Sequence, residues 1–159
     1  MKLQRINRTP VRIVILNLMP NKEVTERQKK NRLEAATVPT EITLLTTESY
    51  ISKNVSREYL ETYYKTFSQI KEQYFDGMII TGAPVECMEY QDVLYWDELE
   101  EIMDWAQEHT KSVLHICWGS QAGIYHHYGI QKHKLDEKLS GVYEHHIFQK
   151  QHPLMNGIK

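Results

Sequence analysis

The sequence predicts an α/β fold built on a doubly wound, mostly parallel sheet, and three observations carry that prediction. Short aliphatic runs, such as VRIVILNL at Val11–Leu18 and MIIT at Met78–Thr81, read as strands buried on both faces. Between them lie longer polar stretches with apolar residues at helical spacing. The two kinds alternate along the chain, which calls for right-handed crossovers between parallel strands.

The elements follow in order. Val11 to Leu18 is the first strand, ended by Met19-Pro20-Asn21. A polar helix is expected from Thr25 to Ala36, opened by Thr25 with Gln28 three residues on. Pro39 breaks it, and Glu41 to Leu45 (EITLL) reads as the second strand. Ser56 can cap the next helix, whose buried face is expected to be Leu60, Tyr63, Tyr64, Phe67 and Ile70. Asp76-Gly77 leads into the third strand, and the loop Gly82–Cys87 (GAPVEC) has the turn chemistry of a backbone that approaches something closely. Leu99, Ile102, Met103 and Ala106 mark another amphipathic helix before the last strand. Beyond Ile130 the pattern changes to basic and histidine residues without a helical stripe, with a short strand expected at Leu139–Tyr143.

Composition narrows the function classes. A chain of 159 residues fits one domain around a single core, here residues 1–159. A net charge of −2 gives no support to binding nucleic acid or a membrane surface. Cys87 and Cys117 form neither a disulfide framework nor a CxxC zinc half-site. The N-terminal MKLQRINRTP has no apolar signal core, and no run is long enough to span a bilayer, so the expected setting is a reducing cytoplasm.

The stretch Lys111–Tyr128, KSVLHICWGSQAGIYHHY, concentrates the chemistry. Its apolar run stops at Cys117, and small residues (Gly119, Ser120, Ala122, Gly123) open a helix behind it. A cysteine on such a strand-to-helix corner has its sulfur lifted out of the sheet. Amides at the helix N-terminus favour the thiolate and can hold a developing oxyanion. A buried structural cysteine at a strand end is the alternative reading of the same residues. Ligands of parallel sheets sit beyond the carboxyl ends of the strands, where Cys117 and the Gly82–Cys87 loop are both expected, and this favours the nucleophile.

A cysteine nucleophile needs a base, usually histidine. Strand alternation puts His115 on the same face as Cys117 but one pleat away, while His126 and His127 fall on the following helix. His145-His146 has no third ligand at a recognisable spacing, so no metal site is expected. Ser120 lacks a Gly-x-Ser-x-Gly frame, and no phosphate-binding glycine loop is present.

The segments LNLMPNK (Leu16–Lys22), FDGMIITGAPVE (Phe75–Glu86), ICWGSQA (Ile116–Ala122), YGI (Tyr128–Ile130) and EKLSGVYEHHI (Glu137–Ile147) strongly resemble the homoserine O-acyltransferases of the homoserine trans-succinylase type, in order and separation. The resemblance implies a fold like that of class I glutamine amidotransferases and an acyl transfer from acyl-CoA to the hydroxyl of homoserine, in methionine biosynthesis. It implies that Cys117 is the acyl-thioester nucleophile and that the amides of Trp118 and Val85 form the oxyanion hole. Lys138 matches a substrate-binding position, and Glu86 matches the position at which glutamate excludes the succinyl carboxylate. Acetyl-CoA is then the expected co-substrate, with no bound cofactor, no metal, small-molecule partners, and a homodimer as a compatible assembly. The family's base histidine and its partner glutamate lie in a His-x-Glu motif further along than Lys159, so the chain reads as the N-terminal part of a longer catalytic domain. His145 and His146 belong to a different motif. Serine as acceptor, succinyl-CoA as donor, a cysteine glutaminase on the same fold and a CoA-thioester-binding domain without turnover are the competing readings.

Overall fold

A computed structural model describes residues 9–137 and 139–155. Its centre is a parallel sheet of β1 (Val11–Leu16), β2 (Thr40–Leu45), β3 (Gly77–Ile80) and β4 (Val113–His115), in the order β2-β1-β3-β4. The order follows from the crossovers: β1 lies between β2 and β3, so the chain runs outward one way, returns, and continues the other way. That reversal opens a crevice at the carboxyl end of the sheet.

Alternation along the strands divides the core into two. Val14, Leu16, Leu45, Met78 and Ile80 face one side. They pack there against α3 (Phe67–Ile70), α4 (Trp96–His109) and α5 (Trp118–Tyr128) through Phe67, Ile70, Leu99, Ile102, Met103, Trp118 and Ala122. Ile13, Ile15, Ile42, Leu44 and Ile79 face the other side, against Leu33 of α1 (Lys22–Glu34) and Tyr59 and Leu60 of α2 (Arg57–Tyr63). Both faces are therefore covered, as the aliphatic runs require. On β4 the second face is bare: Leu114, next to Ile79 in register, is 56% exposed.

Several boundaries differ from the sequence expectation for identifiable reasons. β1 ends at Leu16 because Asn17 turns inward, its amide nitrogen donating to the Lys22 carbonyl and to the Tyr64 hydroxyl. α1 begins at Lys22, capped by Asn21, whose side-chain oxygen accepts from the Val24 amide; Thr25 lies inside the first turn. The helix expected over Ser56–Ile70 breaks into α2 and α3. Between them Lys65 pairs with β2, its amide donating to Leu44 and its carbonyl accepting from Thr46. That break turns Tyr63 out to solvent and leaves Tyr64 buried. Leu139–Tyr143 forms no strand. Gly129, in the left-handed conformation at φ 69°, ends α5, and the described residues beyond it are irregular backbone up to a 3-10 turn at Pro153–Met155, with Lys134 to Glu137 and Leu139 lying at the carboxyl end of the sheet. Among the described residues no helix is long and apolar enough to cross a membrane.

Candidate active site

Cys117 joins β4 to α5 with φ 56° and ψ −123°. Among the described residues it is the one non-glycine with positive φ. A side chain held in that region costs on the order of 1–3 kcal/mol, which the surrounding contacts must offset. Those contacts are short. The Ile116 amide donates to the Ile80 carbonyl at 2.9 Å, extending the β3–β4 ladder to the residue before the corner. The Cys117 carbonyl accepts from the amides of Ser120 and Gln121, which starts α5. The Ser120 hydroxyl donates back to the His115 carbonyl at 2.7 Å, tying the helix to the strand it follows. Gly119 lies where α5 meets the end of β3, with the carbonyls of Thr81 and Ile80 against it. Cys117 is exposed, so it is not the buried cysteine of the alternative reading.

Cys117 lines a cleft of about 1040 Å³. Met19, Thr25, Gln28 and Lys29 form its wall after β1; Thr81 to Pro84 and Glu86 form the wall after β3. Lys134 to Glu137 and Leu139 of the tail reach across it. The two loops hold each other: the Leu18 amide donates to the Thr81 hydroxyl at 2.8 Å, and the Thr81 amide to the Leu16 carbonyl. Gly82 passes directly beneath the thiol, where a side chain would meet the Cys117 sulfur at 3.3 Å. Close approach is the reason for a glycine there.

The other residues named from sequence fall around this centre. Trp118 is buried, 1% exposed, with its ring among Tyr90, Tyr95 and Trp96. Its amide opens α5, and among the described residues no backbone carbonyl accepts from it. The same is true of the Val85 amide, while the Val85 side chain packs on the core and lines a smaller neighbouring cavity of about 180 Å³. Glu86 is exposed on the cleft wall. Its loop is fixed by Lys132, whose ammonium donates to the carbonyls of Glu86 and Met88 and sits 4.7 Å from the centre of the Tyr90 ring. Sequence reasoning missed Lys132, because its partners are backbone carbonyls more than forty positions away. Lys138 lies outside the described residues.

The histidines stay apart from the thiol. No histidine is among the described residues that line the cleft. Positive φ at Cys117 breaks strand alternation, so His115 does not share its face. His115 turns instead to a separate groove beside α5, against Gly123, with its Nδ1 3.1 Å from the Gly119 carbonyl. Burial pushes its pKa down. His126 meets Glu100 and Asp104 of α4. Burial opposes its charge, but the two carboxylates hold its pKa above the ordinary histidine value.

The buried lysine Lys22 was a further omission. It is 4% exposed, donates to the Asn17 carbonyl and lies 5.3 Å from the Tyr64 ring centre. Burial lowers its pKa to about 8.

The fold and the corner together define a parallel α/β protein with an exposed cysteine at positive φ on a strand-to-helix turn at the carboxyl end of its sheet. The family model described as "HTS: Homoserine O-succinyltransferase" matches residues 2–159, and the chain belongs to that family. It is 55% identical over 149 residues to the homoserine O-acetyltransferase of Brevibacillus brevis strain 47, covering 94% of this chain and 49% of that protein. It is 52% identical to the homoserine O-acetyltransferase of Methanomassiliicoccus intestinalis (94% and 49%) and 49% identical to that of Lachnoclostridium phytofermentans (94% and 50%). The chain thus spans about half the length of the curated relatives it matches.

Proposed function

We propose that the chain carries the acyl-accepting half of a homoserine O-acetyltransferase of methionine biosynthesis, and that Cys117 is its nucleophile. The observation that carries the reading is the exposed Cys117, held at positive φ over Gly82 in a cleft at the carboxyl ends of the strands. The Cys117 thiolate attacks the thioester carbonyl of acetyl-CoA, and the amides of Trp118 and Val85 receive the oxyanion. Collapse expels the CoA thiolate and leaves an acetyl thioester on Cys117. The homoserine hydroxyl then attacks that thioester, gives its proton to a base, and leaves as the acetyl ester while the thiolate reforms. No bound cofactor is required, and the fold is of the class I glutamine amidotransferase type. A cytoplasmic setting, residues 1–159 as part of one catalytic domain, and a homodimer complete this reading.

Glu86 sets the donor. A succinyl group carries a second carboxylate, and two like charges ~4 Å apart repel by about 1 kcal/mol in water and about 4 kcal/mol at an effective dielectric of ~20. Glu86 is exposed in the free chain, so the smaller figure holds until an acyl-CoA fills the cleft and displaces water. At the larger figure, acetyl is favoured about a thousandfold in rate. Lys138 binds the carboxylate of the amino-acid acceptor.

The reading is tested with the full-length enzyme, supplying acetyl-CoA or succinyl-CoA with homoserine or serine. Acetylation of homoserine, abolished by Cys117→Ala, is the expected result. Ammonia from glutamine without any need for CoA would establish the glutaminase instead, and acetylation of serine alone would move the acceptor.

A further inference from the structure

We propose a second site, remote from Cys117: a divalent transition-metal site formed by Asp104 of α4 with His126 and His127 at the end of α5. One ligand atom from each of the three lies within 4.8 Å of the other two. Two imidazoles and a carboxylate are a borderline donor set, suited to zinc, nickel or cobalt(II) rather than to magnesium or calcium. Ligand atoms at about 2.0–2.2 Å from a tetrahedral metal stand roughly 3.3–3.6 Å apart, so the 2.6 Å contact between His126 and Asp104 opens to admit the ion while the wider separations close, and the exposed Asp104 side chain can supply that movement.

The arrangement around His126 holds its ring in the orientation a ligating imidazole needs. Its ring is only 14% exposed, and its two nitrogens have different partners. Nδ1 is 3.2 Å from Glu100 Oε1, and Nε2 is 2.6 Å from Asp104 Oδ1. Glu100 and Asp104 are one helical turn apart on α4, so the ring is held edge-on between them. A metal ion entering between Nε2 and Asp104 displaces the proton there and leaves Nδ1–H on Glu100. That is the carboxylate–histidine–metal relay that orients ligating histidines. His127 stands beside His126 with ring centres 4.9 Å apart, and its Nδ1 meets the Gln107 amide at 2.9 Å. The site joins the last turn of α5 to α4, and so anchors the far end of the helix whose first residue follows Cys117.

Linear spacing does not show this site, because the carboxylates come from the preceding helix. The test is cobalt(II) titration of the metal-stripped whole chain, followed by its visible absorption and by calorimetry. One ion per chain with the d–d bands of a low-coordinate site is expected. His126→Asn and Asp104→Asn should each weaken binding by at least tenfold. Glu100→Gln should weaken it roughly 10- to 100-fold through the relay. Circular dichroism confirms that the variants fold, and the exposed Asp104→Asn serves where His126→Asn does not. Absence of saturable binding would overturn the proposal. So would binding left unchanged by Asp104→Asn, or lost with Cys87→Ser, Cys117→Ser or His145→Ala instead.

Discussion

A methyl group on Gly119 would sit 2.6 Å from the carbonyl oxygen of Thr81. The first turn of α5 is thus seated on the backbone at the end of β3, with no room for a side chain between them. This contact sets the height of the Cys117 corner above the loop that contains Gly82 and Val85. Gly119→Ala must push α5 away from the sheet. It is expected to cost about 1–3 kcal/mol in chemical denaturation, as overpacking does. It should also slow single-turnover acetylation about a hundredfold, because an ångström of misplacement is felt that strongly at a reacting centre.

The corner itself stores strain, and replacing Cys117 in two ways exposes it. Glycine adopts positive φ without penalty, whereas alanine does not. Cys117→Gly is expected to be more stable than Cys117→Ala by about 1 kcal/mol in thermal or denaturant unfolding, with acetylation lost in both. Equal stability would mean that the backbone at Cys117 relaxes to an ordinary conformation.

Lys22 gives a pH dependence of definite sign. Its folded pKa of about 8 lies below the ordinary 10.5, so between these values the unfolded chain binds the extra proton. Stability therefore rises with pH from about 8, as the penalty for a buried charge is removed. That penalty is about 3 kcal/mol at neutral pH. Tyr59 and Tyr95, raised mainly by burial to about 12, work in the opposite sense above pH ~10. Unfolding free energies from pH 7 to 11 should climb from about 8, peak near 10, and then fall. Lys22→Met should remove the climb and keep the fall.

The strands, their parallel pairing and the position of the cysteine corner are legible in the sequence because each rests on local signals. Uninterrupted aliphatic runs mark strands covered on both faces, and small residues after Cys117 mark a helix start packed close to the sheet. What escaped depends on distant partners. The single helix read over Ser56–Ile70 is cut by Lys65 joining β2, which no local periodicity reveals. His115 seemed to share a face with Cys117 because alternation was carried through a residue whose φ is positive. Lys132 and Lys22 find their partners in backbone carbonyls, and a backbone partner leaves no mark in the sequence.

Donor choice should move with Glu86. In the full-length enzyme Glu86→Gly is expected to raise kcat/KM for succinyl-CoA relative to acetyl-CoA, by between about fivefold and a thousandfold according to how far the bound donor excludes water. Glu86→Gln, which keeps the bulk and removes the charge, separates repulsion from steric exclusion. Recovery with both variants assigns the effect to charge, and recovery with glycine alone assigns it to space.

The central claim is that Cys117 takes the acyl group. Intact-mass measurement of the chain after incubation with acetyl-CoA, followed by peptide mapping, tests it most directly. One acetyl group per chain on the peptide bearing Cys117, absent from Cys117→Ala and released by hydroxylamine, is the predicted result. An unmodified wild-type chain, or the same adduct on Cys117→Ala, would contradict it.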